Sequence, residues 1–280
     1  MNTIALYDKV CQHASEHTTF SYSTSFSFGI RSLHKRFQAP IHAIYGFVRF
    51  ADEIVDTLHA HDKATLLQRF RNDTLLAIAE GVSLNPILHS FQRVVSRYNI
   101  EPELYSTFLD SMAMDLTDKA HDQRSYETYI LGSAEVVGLM CLRVFCEGDD
   151  VLYQRLRPSA MKLGAAFQKV NFLRDLKDDH NNLGRTYFPG IDVRKFDRAT
   201  KTRIEIDIQQ DFDDAILGIR ALPKGARFGV YMAYAYYVAL FNKIKALPTD
   251  RILTERVRVR NRRKLALLTT GWLRHSFGTL

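Results

Sequence analysis

Apolar residues recur at spacings of three and four along most of this chain. The pattern runs through 40–58, 64–80, 86–98, 102–118, 125–147, 150–180, 199–219, 224–246 and 251–274. A period near 3.6 predicts helix at each stretch. Asn85 before Pro86, and Ser125 before Tyr126, have the chemistry of helix starts. Period-two alternation is rare. RVRVR at 256–260 alternates, but it runs on into NRRKLALL, which reads as a helix with a basic face. The expectation is an all-α fold of about nine helices. No linker rich in proline or glycine and no internal repeat divides the chain, so a single domain is expected over 1–280.

Composition supports a packed core: 46% of the 280 residues are hydrophobic and 11% aromatic. Cys11, Cys141 and Cys146 form no C-x-x-C and no metal-ligand pattern, and so few cysteines suit a reducing compartment. The N-terminal MNTIALYDKVCQH lacks the basic and apolar regions of a secretory signal. The longest apolar runs, such as 231–241, read as too short to span a bilayer. A cytoplasmic protein is expected. The formal charge of +7 admits anionic partners. No nucleic-acid motif is present, and the histidines have no ligand spacing. The basic run at 256–264 suits a solvated face, an anionic membrane contact or part of a phosphate site.

Two acidic pairs change the picture. Asp52 and Asp56 lie four apart in IYGFVRFADEIVDTL, as do Asp175 and Asp179 in NFLRDLKDDHNNLGRTYFP. A helix stacks each pair on one face, at a cost of roughly 0.2–0.5 kcal/mol. Partial burial among Ile44, Phe47, Val48 and Val55, or after Phe167, Val170, Phe172 and Leu173, raises that cost unless a cation compensates. Arg49 and Arg174 stand close enough in sequence to serve. A divalent metal suits better, because carboxylate oxygens are hard ligands for Mg²⁺ or Mn²⁺. Tyr45 and Arg49 share the face of Asp52; Gln168 and Asn171 share that of Asp175.

The segments SYSTSFSFGIRSL, IHAIYGFVRFADEIVD, YILGSAEVVGLM and GAAFQKVNFLRDLKDDHNNLGRTYFP occur in that order. Together they resemble the squalene/phytoene synthase family, and within it the bacterial phytoene synthases. The resemblance covers roughly residues 15 to 270, and the Q-x-x-N-x-x-R-D-x-x-x-D string from Gln168 to Asp179 is its most specific part. It implies an isoprenoid-synthase-type helical bundle around a central cavity. It implies head-to-head condensation of two prenyl diphosphates, with Mg²⁺ (or Mn²⁺) and without NADPH. For geranylgeranyl diphosphate the route is through prephytoene diphosphate to 15-cis-phytoene. The alternative is a thirty-carbon synthase using farnesyl diphosphate. A chain that keeps the fold without the chemistry is a third reading, which four retained aspartates oppose.

The resemblance assigns roles residue by residue. Asp52, Asp56, Asp175 and Asp179 look like metal-bridging carboxylates, with Asn171 as a further ligand. Gln168 and Arg49 look like diphosphate partners, and Arg174, Arg185, Tyr187, Tyr237 and Arg256 match positions near the diphosphates. Ser23, Ser25 and Phe26 resemble a first substrate-binding loop. Tyr129 opens a cavity-lining helix. Glu53 stands for the more usual Asp beside a metal aspartate. Glu135 stands where glycine is usual, so its carboxylate is expected at the cavity wall. Phe26, Phe28, Tyr45, Phe47 and Tyr129 are the rings available to stabilise an allylic cation, while Met112 and Met114 read as packing. An apolar product implies peripheral contact with membrane lipid.

Overall fold

A computed structural model describes residues 3–117, 121–178, 187–191, 196–253 and 257, with only the backbone at 177 and 178. Its elements are α1 (Thr3–Tyr22), α2 (Thr24–Arg31), α3 (Lys35–Asp56), α4 (Lys63–Glu80), α5 (Pro86–Tyr98), α6 (Pro102–Thr117), α7 (Gln123–Ile130), a π-turn (Leu131–Glu135), α8 (Val136–Cys146), α9 (Asp150–Asp178), α10 (Arg198–Ala221), α11 (Lys224–Lys245) and α12 (Thr249–Ile252). No strand occurs among the described residues. The predicted helix over 251–274 lies mostly outside them.

Local chemistry sets the helix ends. The Asn85 side chain accepts from the backbone N–H groups of Ile87 and Leu88, at 3.0 and 3.4 Å, and Pro86 opens α5 without a donor to satisfy. Asp62 and Asp197 cap α4 and α10 in the same way. Gly81 ends α4 at φ 71°, a left-handed cap that glycine adopts without strain. The helix predicted from Ser125 starts earlier. Asp122 is its cap, accepting from the Ser125 N–H at 2.7 Å.

Two apolar clusters form. One gathers α3, α4, α5, α6 and α8 around Phe47, which stacks on Phe91 with centroids 3.9 Å apart. The other gathers α7, α9, α10 and α11 around Phe172, Leu173, Phe212 and Phe241. The helices from Gln123 to Cys146 run between α6 and α9. This stretch is long and apolar enough to cross a membrane, which corrects the sequence reading, but 56% of its most apolar 18-residue window is buried within the protein and it serves as a central packing element. Its approach to α9 is backbone to backbone. A Cβ on Gly164 would lie 2.6 Å from the Ala134 carbonyl, and one on Gly138 would lie 2.9 Å from that of Ala160. Glycine is required at both places.

A candidate active site between the acidic helices

A cavity of about 400 Å³ takes walls from α2, α3, α6, α7, α8, α9, α10, α11 and the π-turn. Along α3 its wall passes from Ile41 and Ile44 to Tyr45, Val48, Arg49 and Asp52. Along α9 it passes from Leu156 and Ala160 to Phe167, Gln168 and Asn171. Both helices therefore present apolar residues first and polar ones last. The polar rim and the apolar depth are consequences of two amphipathic helices running along one hollow.

On α3, Arg49 pairs with Asp52 (Nη1 to Oδ2, 2.7 Å) and also with Glu53. Its guanidinium lies 4.4 Å from the Tyr22 ring centroid. Glu53 thus anchors the arginine in addition to keeping the local charge. Asp56 follows one turn beyond Asp52, outside the cavity wall. On α9, Arg174 forks onto Asp175 through Nε and Nη2, with Nε 3.0 Å from Oδ1. Each acidic motif therefore carries its own arginine.

Aromatic rings join the two sides. The Phe26 centroid lies 5.9 Å from Tyr45 on α3 and 6.0 Å from Tyr237 on α11. Tyr237 stacks on Phe167 at 3.9 Å, and its hydroxyl donates to Asn171 Oδ1 at 3.3 Å. Burial pushes the Tyr237 hydroxyl up to about 12, with Arg174 opposing. Burial also raises Tyr45 and carries Tyr129 well above its ordinary value. All three remain hydrogen-bond donors at neutral pH.

Several expectations need correction. The segment of Ser23, Ser25 and Phe26 is a capped helix rather than a loop. Ser23 is the N-cap of α2 and accepts from the Phe26 N–H at 3.1 Å. Ser25 is half-buried and off the cavity wall. Phe47 is core, and Phe28 is 40% exposed; neither ring faces the cavity. Met112 lines the cavity as well as packing. Glu135 also leaves the wall: the π-turn aims it at Lys162, Lys169 and Asp211 behind α9, where burial raises its pKa and Lys162 opposes. Asp179, Arg185 and Arg256 lie outside the described residues.

Asp115 escaped the sequence reading. It accepts from the hydroxyls of Tyr129 (2.6 Å) and Tyr187 (3.1 Å), and so ties the cavity-lining Tyr129 to the 187–191 segment. His121 stacks on Tyr187 beside it. Asp115 is one of three acids in α6, with Glu103 and Asp110, and nothing in the sequence sets it apart from them, so only the fold reveals it.

The donor set fits a divalent metal that arrives with phosphate. Asp52 and Asn171 offer hard oxygens to one cavity, and Asp56 and Asp175 each follow one turn further on. Among the described residues no three His, Cys, Asp or Glu side chains form a metal-holding group. Mg²⁺ commonly takes one or two carboxylates plus substrate phosphates, so such a group is not needed.

The fold is the all-α isoprenoid synthase fold. A dehydrosqualene synthase solved in complex with ligand superposes with a TM-score of 0.83 at 21% identity, covering 95% of this chain and 96% of the other. A squalene synthase from Alicyclobacillus acidocaldarius superposes with a TM-score of 0.75 at 18% identity, covering 86% and 95%. The squalene/phytoene synthase family model matches residues 20–263, and the chain belongs to that family. It is 29% identical over 269 residues to the phytoene synthase of Rhodobacter capsulatus, covering 89% of this chain and 77% of the relative. It is 27% identical over 256 residues to the presqualene diphosphate synthase of Zymomonas mobilis, covering 89% and 82%.

Proposed function

We propose that this protein condenses two molecules of geranylgeranyl diphosphate head to head, through prephytoene diphosphate, to 15-cis-phytoene, as a cytoplasmic enzyme of carotenoid biosynthesis. The observation that carries the reading is the single cavity with Arg49, Asp52, Gln168 and Asn171 at one end and apolar walls beyond. Leu156 and Asn171, fifteen residues apart on α9, both line it. That separation is about 22 Å of helix axis, room suited to a long prenyl tail.

Arg49 and Arg174 would grip phosphate oxygens, exchanging part of their pairing with Asp52 and Asp175 for the ligand. Bound Mg²⁺, held by Asp52, Asp56, Asn171, Asp175 and Asp179, would stabilise the departing diphosphate. Loss of that diphosphate leaves an allylic cation at C1. Phe26, Tyr45, Phe167 and Tyr237 surround the site with ring faces that stabilise positive charge by roughly 0.5–2 kcal/mol each without attacking it. The double bond of the second substrate attacks C1. Loss of a proton then closes the cyclopropane, giving an intermediate that keeps the second substrate's diphosphate. Departure of the second diphosphate, rearrangement and loss of another proton give the hydrocarbon, with no reductant consumed. The cavity tyrosines hold their protons too tightly to serve as bases at neutral pH, which favours released diphosphate as the acceptor.

The test offers geranylgeranyl and farnesyl diphosphate separately with Mg²⁺ and identifies products by mass. A forty-carbon hydrocarbon is expected. A thirty-carbon product from farnesyl diphosphate alone would move the assignment to the second reading, which the relatives of the presqualene diphosphate synthase type favour. No condensation product from folded protein overturns both. Tyr22, Phe28 and Phe50, exposed on α1 to α3, support peripheral membrane contact. Flotation with anionic vesicles is expected at low salt, and its absence would refute that contact.

A further inference from the structure

Ser133 sits inside the π-turn, faces the cavity and has no role in the reading above. Its hydroxyl donates to the Tyr129 carbonyl at 2.7 Å. With its proton committed, Ser133 Oγ can only accept from a second neighbour. That neighbour is Gln168, whose Nε2 donates to it at 3.3 Å. The nitrogen end of the Gln168 carboxamide is thereby fixed toward the π-turn, and the oxygen end is turned along α9. There Oε1 accepts from Asn171 Nδ2 at 3.5 Å. Asn171 must then direct its own oxygen the other way, where Tyr237 donates to Oδ1 at 3.3 Å. Two amides that could each have been placed either way round are set by one proton.

We propose that Ser133 is a positioning residue: through Gln168 it orients the Asn171 carboxamide so that an oxygen, not an NH₂ group, is presented where a diphosphate-bound cation would sit. The role rests on the diphosphate reading above. Asn171 Oδ1 has a second lone pair besides the one taken by Tyr237, and that pair is the one a hard cation needs. An aliphatic side chain at 133 would leave Gln168 Nε2 without this acceptor. Either amide could then turn over. The π-turn matters here because it keeps Tyr129, Ser133 and Val137 on the cavity side while sending Glu135 behind α9. π-turns inside α-helices often mark functional positions.

The experiment compares Ser133→Val with Ser133→Thr, which match in shape and differ in the hydroxyl. Ser133→Ala is the second apolar variant should Val disturb folding. Binding of Mn²⁺ in the presence of inorganic pyrophosphate is measured by calorimetry, and the side-chain amide ¹⁵N resonances of Gln168 and Asn171 are followed by NMR. Val and Ala should weaken Mn²⁺ binding about tenfold and shift both amides at unchanged melting temperature, while Thr restores both. Amide resonances that do not move in Val and Ala overturn the proposal whatever the binding does. Wild-type protein that fails to bind Mn²⁺ with pyrophosphate sinks the diphosphate reading, and with it the cation that Asn171 is proposed to face.

Discussion

Helix α9 carries charge on two faces, and the two faces solve the problem of buried charge differently. Behind the helix, Lys162 and Lys169 meet Asp211, and Lys169 also meets Asp207, at 2.6–2.9 Å. Two lysines meet two aspartates, Glu135 stands beside them with burial favouring its protonated form, and Asp211 is 1% exposed. At the cavity rim the acids are clustered along one helix. Residues 49–56 of α3 hold three carboxylates and one arginine, and Arg49 is shared between Asp52 and Glu53. A structural network completes itself. A binding site gathers like charges that a ligand of opposite charge can bridge.

The largest effect expected from this contrast is at the rim. Asp52→Asn or Asp175→Asn should lower product formation by about two to three orders of magnitude and leave the melting temperature within a few degrees of wild type. A severe loss of stability instead would make the rim a structural network too. Next comes Asp211→Asn, which strips Lys162 and Lys169 of their shared partner and should cost about 3 kcal/mol in chemical denaturation. Activity per folded molecule should survive. If activity is lost while folding is kept, the two faces are coupled and the contrast fails. A smaller change probes the apolar stretch of the cavity. Cys141→Phe should cut forty-carbon output about tenfold relative to thirty-carbon output, read as a product ratio. The smallest concerns Glu135. Burial raises its folded pKa, so its protonated form is the one the fold prefers. Its contribution is intact below the ordinary glutamate range and declines as pH rises through the folded value. Glu135→Gln should therefore stabilise slightly, within about 0.5 kcal/mol, at pH 8 and not at pH 4. Melting curves at both pH values decide it.

Much of this arrangement was legible in the chain. Helix α5 was readable at both ends because Asn85 and Pro86 are unambiguous start chemistry and its apolar face is continuous. Helix α1 was not, because the face it buries is Cys11, Ser15, Thr18 and Thr19, which carries almost no hydrophobic period. Helix α2 is eight residues, four of them alternating serine with phenylalanine, too short for a helical repeat to show. The break at 131–135 left no mark either: the apolar pattern runs straight through it, and the close approach of the Ala134 carbonyl to Gly164 comes from thirty residues along. The rim motifs were visible because their spacing repeats. Asp115 and Ser133 act alone, through partners from distant parts of the chain, and single polar residues have no period to read.

The π-turn also constrains how this sequence can change length. Removing one residue between Leu131 and Glu135 would allow an unbroken α-helix, an apparent local gain. It would also rotate everything upstream by about 100° relative to α8. Tyr129 would swing off Asp115, and Gly132 would no longer meet Ser111 and the Thr107 carbonyl, where it alone fits. The extra residue is thus a fixed phase offset, and a deletion here should be far less tolerated than one in the loop between α4 and α5.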